Sequence, residues 1–452
     1  MKKNFIYTIV LLAFAATIVF IFLRYRQQQR GKEATLYSLQ DRKGPLASTP
    51  EWASIRSNAR ALETALEKDP EDIRSLLAMA ALFIQEARVT GNFVYYDKAA
   101  MKYVNKVLAK DSVNFNALIF KSLIYLSQHH FAEGLSTAWH AQKVNPYNAF
   151  VYGLIVDGNV EMGNYDSAVV NSDRMVSIRP DIRSYSRISY LREIYGDYPG
   201  AVEAMKMAVS AGAPGDEATA WVRIQLGRLY ENTGQLEYAR MQYTIAGDER
   251  PGYPYAAAGL ARLATAAKDY SSAIALYLHA DSLISDNSFK EELVDVYRLT
   301  GQSEKAMALS REIIVDMTRE TQAGKSDEEI GHYADRELAL AYLKVNDYNK
   351  ALEHALQEYN RRPDNIDVNE TVAWVYYNKG DYAAAMPYMK TALKTHSKNP
   401  TLLSQAGLLY AKAGDATTAR VMLKEALALN PNISETLKTG SRQVLQQTGG
   451  EK

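Results

Sequence analysis

A thirty-four-residue recurrence constrains this chain more than any other feature of its sequence. Pro146 to Pro180 is one full period, and within it Tyr152, Val156, Gly163, Tyr165, Ala168 and Pro180 run in the order large, small, turn glycine, aromatic, small, closing proline. The order returns with Gly227, Tyr230, Gly234, Ala239 and Pro251, then with Ala261, Tyr270 and Ala273. It returns again with Ala339, Tyr342, Tyr348 and Ala351, with Ala373, Tyr376, Gly380, Tyr382 and Ala385, and with Gly407, Tyr410, Gly414, Ala419 and Pro431. Each period reads as two antiparallel amphipathic helices. Small residues mark where the two helices approach closely, glycine lets the chain reverse, and proline stops the second helix.

This pattern resembles the tetratricopeptide repeat. Ten units result, starting near residues 73, 115, 149, 182, 220, 254, 287, 332, 366 and 400, with the match running from Ile73 to Pro431. The resemblance implies an all-α fold, a right-handed α-solenoid of about ten helix pairs. The first unit fits the period only with about eight extra residues around 91–97, expected as an insertion between its helices. Two polar stretches, 318–329 and 210–216, read as loop insertions, which cost little closure entropy. Residues 51–72 and 432–452 are expected to cap the array.

The N-terminus is of another kind. After a four-residue tail carrying Lys2 and Lys3, residues 5–23 contain no charge. Nineteen helical residues cover about 28 Å, the thickness of a bilayer's hydrocarbon core. The stretch is therefore expected to be one transmembrane signal-anchor helix, making this a single-pass protein of a bacterial inner membrane. Ala13-Phe14-Ala15 offers a small-x-small cleavage site, but apolar sequence continues past it. Arg24, Arg26, Arg30 and Lys32 on the C-terminal flank place the array on the cytoplasmic side, whereas the short Lys-Lys start is the usual look of an exporting anchor. Residues 24–50, with Gly44-Pro45 and Thr49-Pro50, read as a polar tether.

Little sequence remains for catalysis. There is no phosphate-binding glycine loop, no Gly-x-Ser-x-Gly elbow and no His-Glu-x-x-His pair. The chain has no Cys, and of its seven His only His129 and His130 are adjacent, which lacks a third metal ligand. No catalytic residue, metal or cofactor is assigned. Lys plus Arg number 52 and Asp plus Glu number 52, so no global field draws the chain to nucleic acid.

Binding is what the resemblance implies, on the concave face lined by the first helix of each pair. At equivalent inward positions, three consecutive units carry Arg183 with Tyr190, Trp221 with Arg228, and Tyr255 with Arg262. Aromatic and Arg side chains dominate interface hot spots, and Arg grips carboxylates. The expected ligand is a protein or peptide of acidic or carboxy-terminal character. The plainer reading pairs these arginines with Glu193 and Glu231 on neighbouring inward positions. The Lys and Asn clamp of the best-known peptide-binding members is absent: Ile119 with Leu123, Gly153 with Asp157 and Ile224 with Arg228 occupy its positions. Toward the N-terminus the inward face turns apolar, with Leu77, Ile84, Ile119, Leu123, Leu126 and Phe150. The expected function is a membrane-tethered interaction scaffold. The alternative is a holdase-type assembly or folding factor of an envelope, secretion or pilus pathway.

Overall fold

The computed structural model describes residues 37–284, 286–325 and 331–448, with Thr17, Ile18, Phe20 and Arg24 besides. Residues 1–41 and 42–452 form separate compact units. The expected spanning segment lies outside the described residues except for three isolated positions. No helix among the described residues is long and apolar enough to cross a membrane.

Among its described residues the 42–452 unit contains helices joined by turns and no strand. After an entry helix, Pro50–Lys68, ten helical hairpins follow. Their first helices are Ile73–Thr90, Phe115–Ser127, Ala149–Glu161, Ile182–Ile194, Glu217–Asn232, Pro254–Ala266, Asn287–Leu299, Asp335–Lys344, Ile366–Lys379 and Pro400–Lys412. We number these repeats 1 to 10. A final helix, Glu435–Thr448, packs on the last pair through Leu437, Val444 and Leu445.

One residue of left-handed backbone stands in the turn of every hairpin. Gly91, Gly163, Gly196, Gly234, Gly301, Gly380 and Gly414 supply it in seven repeats, and His129, Lys268 and Asn346 in repeats 2, 6 and 8. The second helix is then capped in several repeats by an Asp. The side chains of Asp197, Asp269, Asp347, Asp381 and Asp415 each accept a backbone N–H of the first turn. Between the helices, the alanines at 168, 201, 239, 273, 351, 385 and 419 have no exposed surface. A Cβ on Gly407 would lie 2.6 Å from the Leu423 side chain, and one on Gly227 would enter the Tyr243 ring. Where the small residue is serine, its hydroxyl bonds the facing helix: Ser122 donates to Gly134 O at 2.8 Å and Ser189 to Ala201 O at 2.7 Å.

Three expectations are corrected. The extra residues of repeat 1 form no loop but lengthen both helices, Ile73–Thr90 and Phe93–Lys110, to 18 residues each. The polar stretch after repeat 7 begins as helix, because the second helix runs Ser303–Lys325; 326–330 lie outside the described residues. The end of the tether is no loose linker. Arg42 is buried, its Nη2 2.6 Å from Glu86 and 3.0 Å from Glu51, while Glu51 also reaches Arg250 at 2.9 Å. Polar composition hides this, because each of these charges is matched by a partner distant in sequence.

The array coils until it meets itself. His129 Nδ1–H donates to Tyr333 O at 2.9 Å, Tyr165 OH accepts from Ile366 N at 2.9 Å, and Arg250 meets Glu51; these partners are 204, 201 and 199 residues apart. Six periods of about 34 residues separate such positions. Repeat 2 thus rests on the loop before repeat 8, repeat 3 on the loop before repeat 9, and repeat 4, through Gly196, on the loop before repeat 10. We call this line of contact the seam. It includes a partly buried Arg362–Glu161 pair, with Arg362 also bonded to Glu358 at 2.5 Å.

Candidate functional site

Coiling wraps the first helices of repeats 1 to 5 around a cavity of about 1170 Å³. Its wall combines Ile84 and Arg88, Leu123, Phe150, the first helices of repeats 4 and 5, and the loop residues Gly215 and Asp216. Helical spacing places Arg183, Arg187, Tyr190 and Glu193 on one face of repeat 4, and Trp221, Arg228 and Asn232 on one face of repeat 5. All seven line the cavity.

The charges divide into used and unused. Arg187 is held by Asp157 at 2.5 Å, Arg88 by Glu217 at 2.9 Å and Arg250 by Glu51 at 2.9 Å. Among the described residues, Arg183 and Arg228 are exposed and make no ion pair within 4 Å, although Arg228 lies in the field of the Glu193 carboxyl. Arg183 lies 4.8 Å over the Phe150 ring. Burial and its neighbours Arg187, Arg88 and Arg179 lower its pKa against the pull of Asp181, so its charge is poorly compensated. The Glu193 carboxyl accepts from Asn232 at 3.1 Å, and burial raises its pKa. Trp221 and Tyr190 are 37% and 43% exposed and line the cavity. Two unpaired guanidinium groups beside two open aromatic faces can hold a carboxylate and an apolar side chain at once.

The structure separates the third aromatic and arginine from the others. Tyr255 packs edge-on against Trp221 at 5.5 Å, and its hydroxyl donates to Asp286 at 3.0 Å. Arg262 is engaged by Glu231 at 2.9 Å and Glu292 at 3.4 Å, and donates to Tyr243 OH at 3.1 Å. Neither lines the cavity. Tyr255 braces the Trp221 ring, and Arg262 ties repeats 5, 6 and 7 together. Of the apolar inward positions, Ile84, Leu123 and Phe150 face the cavity, whereas Ile119 is buried in the core between repeats. Sequence reasoning missed Arg88, Arg187 and Arg250, whose cavity positions depend on coiling. Among the described residues, no group of three or more His, Asp or Glu is placed to hold a metal ion.

Residues 376–438 match the tetratricopeptide-repeat family model. Over 330 residues the chain is 22% identical to cellulose synthase 1 operon protein C of Komagataeibacter xylinus, covering 70% of this chain and 23% of that protein. Over 78 residues it is 33% identical to photosystem I assembly protein Ycf3 of Prochlorococcus marinus, covering 17% of this chain and 45% of that one. The chain thus spans less than half the length of either curated relative. A solved tetratricopeptide repeat protein from Parabacteroides merdae is similar at 17% identity and a TM-score of 0.35, covering 60% of this chain and 99% of that chain. The match to the tetratricopeptide-repeat family model falls on the latter part of repeat 9 and on repeat 10, and the same left-handed turns, buried alanines and paired helices recur through ten successive units.

Proposed function

We propose that this protein is a membrane-tethered interaction scaffold that holds an extended segment of a partner protein in the cavity of repeats 1 to 5. The observation that carries the reading is the pair of unpaired arginines, Arg183 and Arg228, beside the exposed faces of Tyr190 and Trp221. Carboxylates of the partner, from acidic side chains or a chain terminus, pair with the guanidinium groups, and apolar side chains cover the rings. Residues 5–23 supply the attachment, in the inner membrane of a bacterium with the array on the cytoplasmic side. A Cys introduced at Gly450 and probed in intact cells with a membrane-impermeant thiol reagent tests that side: labelling places the array outside.

Co-purification in mild detergent tests the site. Arg183→Ala with Arg228→Ala is expected to release the partner, while Arg262→Ala is a poor probe because it breaks the Glu231 and Glu292 pairs. Full retention of every partner by the double variant would remove the cavity from the function. A second reading, a holdase for unfolded clients, draws on the apolar wall of Ile84, Leu123 and Phe150. It predicts suppressed aggregation of a model client that Leu123→Asp abolishes; no suppression at stoichiometric excess disposes of it.

A further inference from the structure

The seam between coils is not chemically uniform. Where repeat 3 meets repeat 9, an Arg362–Glu161 pair and backbone bonds join the two turns. Where repeat 5 meets the loop after repeat 10, Gly234 lies against the backbone at Leu429. Where repeat 2 meets repeat 8, three imidazoles meet instead. His130 Nε2–H donates to Gly331 O at 2.5 Å, and its ring stacks on Tyr333 with centroids 4.0 Å apart. His129 bonds the Tyr333 carbonyl, and its ring centre lies 4.4 Å from that of His332. His129 is also the left-handed residue of its turn, at φ 61°. Nothing in the cavity chemistry uses these groups.

We propose that the junction of repeats 2 and 8 is a proton-operated latch, in which protonation around His332 separates the two coils at that point and widens access to the space they enclose. The inference rests on the seam and is independent of which ligand the cavity binds.

In the closed state His332 itself is kept uncharged, although charged groups stand around it. Burial, with His129 beside it, brings His332 down to about 4, against the attraction of Glu337. Glu337 faces it from the first helix of repeat 8, with Arg336 acting on Glu337, and His129 and His130 face it from the turn of repeat 2. Although burial alone would raise Glu337, His129 and Arg336 hold its carboxyl below the usual range, and its Oε2 is buried without a hydrogen-bond partner. Glu133 stands 4.0 Å from His130 Nδ1, Glu161 lies within the field of His129, and Arg361 covers the Tyr333 ring at 4.4 Å. Asp335, the remaining acid here, is bonded to His354 and Arg361.

The sign follows from linkage. A histidine held near 4 in the closed state and near 6.5 in the open state binds protons less well when closed, so closure is fully favoured above 6.5 and weakens as pH falls toward 4. At pH 5 the open-to-closed ratio rises about 20-fold relative to pH 7.

Because the chain has no cysteine, two can be placed freely. In the full-length protein in detergent micelles, Ala132→Cys and Pro363→Cys flank the latch at exposed positions beside the Phe131–Arg362 contact. Gln235→Cys with Pro431→Cys spans the imidazole-free seam as a reference. Spin-label distances at pH 7.5 and 5.0 are expected to show a new, longer population at pH 5 for the latch pair alone, abolished by His332→Asn and reduced by His129→Asn. An unchanged latch distance, equal separation at the reference pair, persistence in both histidine variants, or loss of far-UV helical signal over the same pH range would each overturn the proposal.

Discussion

The turn glycines of repeats 3, 4 and 5 and those of repeats 7, 9 and 10 have the same local backbone and opposite surroundings. All six lie at φ between 70° and 90°. A Cβ on Gly163 would enter the Asp364 carbonyl, one on Gly196 would lie 2.8 Å from His396 O, and one on Gly234 would lie 3.1 Å from Leu429 O. Gly301, Gly380 and Gly414 would meet nothing within 4 Å. In the later repeats glycine answers only to backbone conformation; in the earlier ones it also lets the next coil settle onto the turn. One motif therefore carries two constraints, and only position in the coil tells them apart.

The sharpest way to break this comparison is Gly163→Ala. It forces alanine into left-handed backbone and drives its methyl into the next coil, for an expected loss of about 3–4 kcal/mol in urea unfolding. Arg362→Ala should follow at about 2 kcal/mol, since it removes one of the two arginines that hold the buried Glu358, the other being Arg361, and the ion-pair partner of the partly buried Glu161. Limited proteolysis should then cut first at the loop before repeat 9. Gly380→Ala should cost only the conformational term, about 1 kcal/mol. A loss as large as that of Gly163→Ala would show that the seam contributes nothing. Smallest of all, Arg183→Ala and Arg228→Ala should leave the urea midpoint within about 0.5 kcal/mol of the parent, because neither makes an ion pair, while partner capture falls.

Much of the fold is legible in the sequence because its causes are local. An alanine facing a glycine or serine across two helices, a left-handed residue between them and an aspartate after it are all set within one period of the chain. The three turns without glycine, at His129, Lys268 and Asn346, carry the weakest sequence signal. Asn tolerates left-handed backbone through its short polar side chain, whereas Lys268 announces nothing. Of the six inward residues, local register speaks for the face each occupies but not for its partners. Arg228 and Arg262 hold equivalent positions in adjacent repeats, yet Glu231 and Glu292 take up the guanidinium of one and leave the other open.

By itself the sequence determined the repeat, its helices and the close packing within each hairpin, since every one of those interactions joins residues fewer than about forty apart. Tertiary structure alone decided the rest. Coiling by six repeats per turn brought together residues about 200 positions apart, pressed three glycines against a second coil and shaped a cavity around Arg183 and Arg228. The physical reason is accumulation: small rotations between neighbouring repeats, each fixed by local packing, add over six units into a contact that no single repeat encodes.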